Sequence, residues 1–206
     1  MIVHPDIERY LDSLLPPRDA ALAEMEALAA RRQIPIIGPA TARLLAALVR
    51  ISGAKRIFEL GSAIGYSTLW LAQAAGEGAE VHYSDGSADN ARVARGFFER
   101  AGVASRLHIH VGDALEALAA TPGVFDLIFN DVDKEGYLAV LEAVPSRLRK
   151  GGLFLTDNTL WHARVLDPRE EADHAVVEFN RRLYASPDFF TALVPIRDGV
   201  SVSLRT

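Results

Sequence analysis

Cysteine is absent from this 206-residue chain, which removes thiol nucleophiles, disulfides and zinc-thiolate sites together. Basic charge is in short supply: 22 Lys and Arg stand against 27 Asp and Glu, a formal net charge of −5. A broad phosphate-binding face would show the opposite balance. Charged or turn residues interrupt every apolar run before it reaches the length of a membrane span. Asp6, Glu8, Arg9 and Asp12 lie among the first residues, so no signal peptide is expected there. The expectation is a soluble, cytoplasmic protein with no membrane partner. Repeats, low-complexity tracts and linkers are also missing, so residues 1–206 read as one domain, with N-terminal helices over 1–52 and a core over 53–206. Half of the residues are hydrophobic, enough for a full core in a chain of this length.

What is present is a change of period along the chain. Ile7, Tyr10, Leu11, Leu14 and Leu15 fall at helical intervals until Pro16-Pro17. Leu22, Met25, Leu28 and Ala29 give a second amphipathic helix ending at Arg31-Arg32, and residues 34–39 predict an extended apolar segment. A third helix spans Thr41 to Ile51 and stops at Gly53. Strand and helix then alternate. Strands are predicted over 56–60, 80–84, 107–111, 127–130 and 152–156, with helices over 67–75, 88–101, 114–119 and 134–149. A helix over 171–184 precedes two strand-like runs, 189–195 and 200–204, joined by the turn Arg197-Asp198-Gly199. This pattern predicts an α/β, Rossmann-like, mostly parallel seven-stranded sheet with helices on both faces and a C-terminal antiparallel hairpin.

The first strand runs into Glu59-Leu60-Gly61-Ser62-Ala63-Ile64-Gly65-Tyr66 and then a helix. A strand, a glycine turn and a helix N-terminus form the arrangement on which nucleotide-type ligands lie, and glycine permits positive φ and close approach. An ordinary tight turn would look the same. Ligand-contacting residues in open α/β sheets collect at the carboxyl ends of the strands. Here those ends are Glu59, Asp85, Asp113, Asp131-Val132-Asp133-Lys134 and Asp157-Asn158. Asp113 and Asp133 also read as helix N-caps. Carboxylates gathered on one rim call for a counter-ion, which points to a cation.

The ordered set formed by Glu59 to Ser67, Gly112-Asp113-Ala114, Asp131 to Lys134, Asp157-Asn158-Thr159-Leu160-Trp161 and Asp198-Gly199 resembles the cation-dependent O-methyltransferases, the group of catechol and caffeoyl-CoA O-methyltransferases. The resemblance runs from about Ile36 to the C-terminus. It implies S-adenosylmethionine as cofactor, with Glu59, Gly61, Ser67 and Ile37 at its methionine end, Asp85 at the ribose, Asp113 and Ala114 beside the adenine, and Asp131 adjoining. It places a divalent cation on Asp131, Asp157 and Asn158, Mg²⁺ first with Mn²⁺ or Ca²⁺ as alternatives, and makes Lys134 the general base alongside Asp131. Two carboxylates and an amide oxygen suit such a hard ion. The resemblance also implies a homodimer, for which Ile7, Leu11, Leu14 and Leu22 offer apolar contact. Ser62, Ala63, Gly86-Ser87 and Ala163 depart from the family pattern without touching the metal set.

The reaction implied is methyl transfer to a hydroxyl of a small catechol-like acceptor. Residues 10–36 are similar to bacterial relatives that methylate a tRNA hydroxyuridine, with Arg18, Arg31, Arg32 and Arg43 as candidate phosphate contacts or solvated helix faces. A non-catalytic S-adenosylmethionine-binding protein is a third reading. An NAD-dependent dehydrogenase lacks its three-glycine fingerprint here. Lys134 read as structure would pair with Asp133 or Glu135. Trp161 reads as an acceptor wall or core, and His162 as a rim histidine.

Overall fold

The computed structural model describes residues 2–206. Helix α1 (Pro5–Ser13) begins on a proline, α2 (Ala20–Arg32) is capped by the Asp19 side chain, and α3 (Gly38–Ser52) packs along the face of the sheet. Alternation follows as predicted: β1 (Arg56–Leu60), α4 (Tyr66–Ala75), β2 (Glu80–Asp85), α5 (Ala88–Arg100), β3 (Leu107–Val111), α6 (Ala114–Ala120), β4 (Phe125–Asn130), α7 (Tyr137–Arg147), β5 (Leu148–Thr156), α8 (Glu171–Ala185), β6 (Phe189–Val194) and β7 (Val200–Arg205). The strands form one seven-stranded sheet in the order β3-β2-β1-β4-β5-β7-β6. β1 to β5 run parallel, and the β6–β7 hairpin adds antiparallel through β7 against β5. The chain therefore doubles back between β3 and β4, and a switch of this kind opens a crevice above β1 and β4.

Each strand sends alternate residues to opposite faces, and two cores result. Ile57, Val81, Leu127, Phe129 and Leu155 meet Leu22, Met25, Leu45, Leu69 and Phe98 on the side of α2 to α5. Phe58, Leu60, Ile128 and Phe154 meet Leu118, Tyr137, Val140 and Phe179 on the side of α6 to α8.

Several boundaries differ from the sequence reading. The extended segment ends at Ile37 because Gly38, with φ +73°, and Pro39 open α3. Lys134–Gly136 is a separate 3₁₀ turn, and α7 stops at Arg147, because Leu148 pairs with Phe125 and buries completely as the start of β5. The 3₁₀ turns over Ala104–Arg106 and Trp161–Leu166 carry no helical period and were not predicted. Leu22 is buried within the core and is not available for a dimer contact, whereas Ile7, Leu11 and Leu14 are exposed. No helix among the described residues is long and apolar enough to cross a membrane.

Candidate active site

A cavity of about 1100 Å³ opens at the carboxyl edge of the parallel strands. Ile37, Gly61, Asp85, Asp113, Ala114, Asp131, Lys134, Asp157 and Asn158 all line it. Glu59 and Ser67 do not: both are buried behind the glycine turn, so four strand ends, not five, present acidic groups to the opening. Glu59 lies on the same strand face as Ile57, which turns it under the rim. One of its oxygens accepts a short hydrogen bond from the Thr68 hydroxyl, and the other, Oε1, has no partner. Burial pushes this carboxyl up to about 7, against the nearby Ser67, Thr68 and Ser62 hydroxyls, which favour the charged form.

The glycine turn has two internal causes. Gly61 has φ +80°, and a Cβ there would stand 2.5 Å from the Asp131 carbonyl oxygen. Gly65 has φ +84° and would place a Cβ 2.6 Å from the Phe98 ring. Gly61 thus lets the end of β1 lie against the end of β4. Gly65 fits α4 onto α5 and does not touch the cavity, so of the two glycines Gly61 alone stands at the opening.

Asp85 is held by its own chain. It accepts hydrogen bonds from the Ala63 and Ser87 amides, each at 2.9 Å, and from Asn90 Nδ2 at 3.0 Å. Asp113 caps α6 through the Glu116 amide at 2.8 Å and still faces the cavity. Asp133 makes no capping hydrogen bond.

Asp131 and Asp157 follow neighbouring strands, their amides bonded to the Leu60 and Asn130 carbonyls at 2.8 and 3.1 Å. Burial first, then repulsion from Asp157, holds the Asp131 carboxyl well above the usual carboxylate range, although 24 % of that side chain opens to the cavity. Burial pushes Asp157 up to about 6, opposed by the Asn158 amide and by the charges on Arg197 and Lys134; its Oδ1 has no partner. Lys134 is buried and donates to Asn158 Oδ1 at 2.7 Å and the Val132 carbonyl at 3.2 Å, with Asp131 Oδ1 at 3.7 Å. Its ammonium also sits 4.9 Å from the Tyr137 ring centre and 5.2 Å from that of Trp161. Its partner is therefore Asp131, not Asp133 or Glu135. Two crowded carboxylates, an unpartnered carboxylate oxygen and an amide oxygen form a hard-donor set, so these residues fit a divalent cation.

The O-methyltransferase family model matches residues 17–206. The chain belongs to the O-methyltransferase family. It is 35 % identical over 172 residues to the catechol O-methyltransferase of Mycobacterium tuberculosis, covering 82 % of this chain and 78 % of that protein. Identity to caffeoyl-CoA O-methyltransferase 1 of Arabidopsis thaliana is 27 % over 218 residues, covering 97 % and 84 %. The solved Bacillus cereus O-methyltransferase in complex with SAH superposes with a TM-score of 0.88 at 28 % identity, covering 98 % of this chain and 97 % of that one.

Three residues of this O-methyltransferase's cavity region had no role assigned from the sequence. Arg197, at φ +49°, lines the cavity and donates from Nη1 to the Ile36 carbonyl at 2.6 Å, tying the hairpin turn to the N-terminal segment. Asp198 is buried and accepts a short hydrogen bond from the His162 amide and one from Asn158 Nδ2 at 3.3 Å. Asn90 steadies Asp85. The signal for the first two was the turn Arg197-Asp198-Gly199, legible as a turn but silent about what it would touch. Trp161 lines the cavity while donating to Asp173 at 2.8 Å, and His162 is an exposed rim residue. Arg18 is engaged with Glu26 at 2.9 Å, which leaves Arg31, Arg32 and Arg43 as the exposed members of the basic set.

Proposed function

We propose that this S-adenosylmethionine-dependent O-methyltransferase of the catechol and caffeoyl-CoA type methylates one of two adjacent hydroxyls on a small aromatic acceptor, and that it does so with a divalent cation. The observation that carries the reading is the Asp131, Asp157 and Asn158 donor set, short of positive charge, beside a buried lysine on the cavity wall.

Gly61, Asp85, Asp113 and Ala114, all on the cavity wall, form the donor site. Asp85 accepts from the ribose hydroxyls, Ile37 contributes backbone contacts, and Ser67 and Glu59 back the methionine end. The unpartnered Glu59 Oε1 supports that last role, since a neighbouring ammonium would stabilise its charged form. Asp131, Asp157 and Asn158 hold the cation, Mg²⁺ by donor chemistry with Mn²⁺ or Ca²⁺ able to use the same oxygens. When bound, the cation supplies positive charge that favours the ionised form of an acceptor hydroxyl. As the neutral amine, Lys134 would take the acceptor's proton. As found it donates to Asn158, so acting as base requires it first to give up a proton and Asn158 Oδ1 to turn from lysine to cation. Trp161 supplies a flat wall for the ring. Holding acceptor oxygen and methyl donor in line can contribute on the order of 7–11 kcal/mol. Exposed Ile7, Tyr10 and Leu11 on α1 and Leu14 just past it support a homodimer.

The test is methyl transfer over a panel of catechols and hypomodified tRNA, with and without EDTA. Cation-dependent methylation of catechols is expected, with Lys134→Met lowering kcat by roughly 10²–10⁴-fold while donor binding persists. Turnover indifferent to EDTA, or restricted to tRNA, overturns the reading.

A further inference from the structure

A second group of metal-ligating side chains lies away from the cavity, on the sheet face that carries Phe58. Glu80 and His82 are two residues apart on β2, and His108 and His110 two apart on β3, so each pair projects to one side. The parallel register sets His82 opposite His108 and Ser84 opposite His110, which brings all four to the same face. One ligating atom from each of Glu80, His82 and His108 falls within 4.8 Å of the others. None of the four lines the active-site cavity.

His82 is the centre of the group. It is buried at 3 % exposure, with Nε2 2.6 Å from Glu80 Oε1 and Nδ1 2.9 Å from His110 Nε2. The His82 and His108 rings stack at 4.7 Å, and His108 is exposed, so an ion has a way in from solvent. Burial pushes His82 down to about 4, helped by the adjacent imidazoles, and lowers His110 as well. At neutral pH these are neutral rings, each with a free or shared lone pair, beside a carboxylate whose ordinary state is charged. Neutral imidazole with carboxylate is the donor chemistry of borderline transition ions.

We propose that this face binds one Zn²⁺, or an ion of similar softness, through Glu80, His82 Nε2 and His108. The ion takes the Nε2 lone pair of the neutral His82 tautomer whose proton sits on Nδ1, where it donates to His110 Nε2. His110 remains on the far nitrogen of His82 and fixes its orientation, as outer partners of ligating histidines do. Zinc bonds of about 2.0–2.1 Å put ligand atoms roughly 3.3–3.5 Å apart in a tetrahedron, so the 2.6 Å Glu80–His82 pair must widen and His108, within 4.8 Å of both, must draw in. Glu80 and His108 can each make that adjustment, the exposed His108 ring by turning about its broad second torsion out of the stack. The bound ion would fasten edge strand β3 to β2, the strands that end at Asp85 and Asp113.

The experiment is calorimetric titration with Zn²⁺ in excess Mg²⁺, on the Asp157→Asn protein so that the active-site oxygens do not compete, with Co²⁺ absorption reporting coordination geometry. One equivalent of Zn²⁺, a tetrahedral Co²⁺ spectrum and a rise in Tm on adding Zn²⁺ are expected. His108→Ala should leave the metal-free Tm unchanged and weaken Zn²⁺ binding by more than about tenfold, the loss that removal of even an outer partner brings at metal sites. No zinc-dependent rise in Tm, binding abolished by Mg²⁺, or equal affinity in His108→Ala overturns the proposal.

Discussion

Glu59 is a fully buried carboxylate with one oxygen, Oε1, that has no partner. Its folded-state carboxyl titrates at about 7 against an ordinary 4.5, so between those values the folded chain holds a proton that the unfolded chain has released. Stability is therefore fully present below about 4.5 and falls as pH rises toward about 7, by roughly 3 kcal/mol if the whole shift is expressed. Asp157 adds a fall in the same direction, ending at about 6. Thermal melts of the donor-free protein should thus lose Tm across this interval, and Glu59→Gln should flatten the part between about pH 6 and 7. A Gln variant with an unchanged slope would place the titration elsewhere. Asp157→Ala tests the second role of the rim. It should abolish cation-dependent turnover while donor affinity, read by calorimetry, stays within about threefold, because 1.4 kcal/mol is already tenfold. Loss of donor binding instead would reassign Asp157 to the donor site.

At the scale of the element, the segment between β5 and α8 holds the unusual backbone. Asn158, Trp161, His162 and Ala163 have φ of 53, 44, 53 and 64°, left-handed values that cost non-glycine residues about 1 kcal/mol or more each. Asp198 counters that cost from the hairpin turn. It binds the His162 amide and the Asn158 amide nitrogen, and its own carbonyl accepts from Leu160 at 2.9 Å. With Asn158 Nδ2 committed to Asp198, Oδ1 faces Lys134 and the carboxylates. Asp198→Ala should weaken Mg²⁺ binding about 10–100-fold with donor binding retained, and Asp198→Asn should restore part of it, since an amide oxygen still accepts. Equal Mg²⁺ affinity in parent and Ala variant, measured by calorimetry, would refute this orienting role.

Across the whole molecule, α1 is the one α-helix with no buried residue among those described, and Ile7, Tyr10 and Leu11 on it and Leu14 at its C-cap stand 50, 59, 39 and 61 % exposed. Apolar groups clustered on one short helix mark an association surface. Leu11→Glu with Leu14→Glu should convert a homodimer to monomer in sedimentation without lowering Tm by more than a few degrees, as neither side chain is in the core. A parent chain that sediments as monomer refutes the dimer.

The sequence by itself determined the order and kind of the elements, because burial on both faces of parallel strands leaves continuous apolar runs that turn residues separate. It also determined that Asp85, Asp113, Asp131 and Asp157 would share one edge, since each follows such a run and parallel strands end on the same side. Only the tertiary structure decided which side chains face the opening. Glu59 sits under the rim through strand alternation, Gly65 answers to Phe98 on another helix, and Leu22 lies in the core because α2 packs against α4 and α5. Arg197 meets Ile36 across 161 residues of chain. Local period records which groups must be buried; it carries no information about which distant backbone or ring will do the burying.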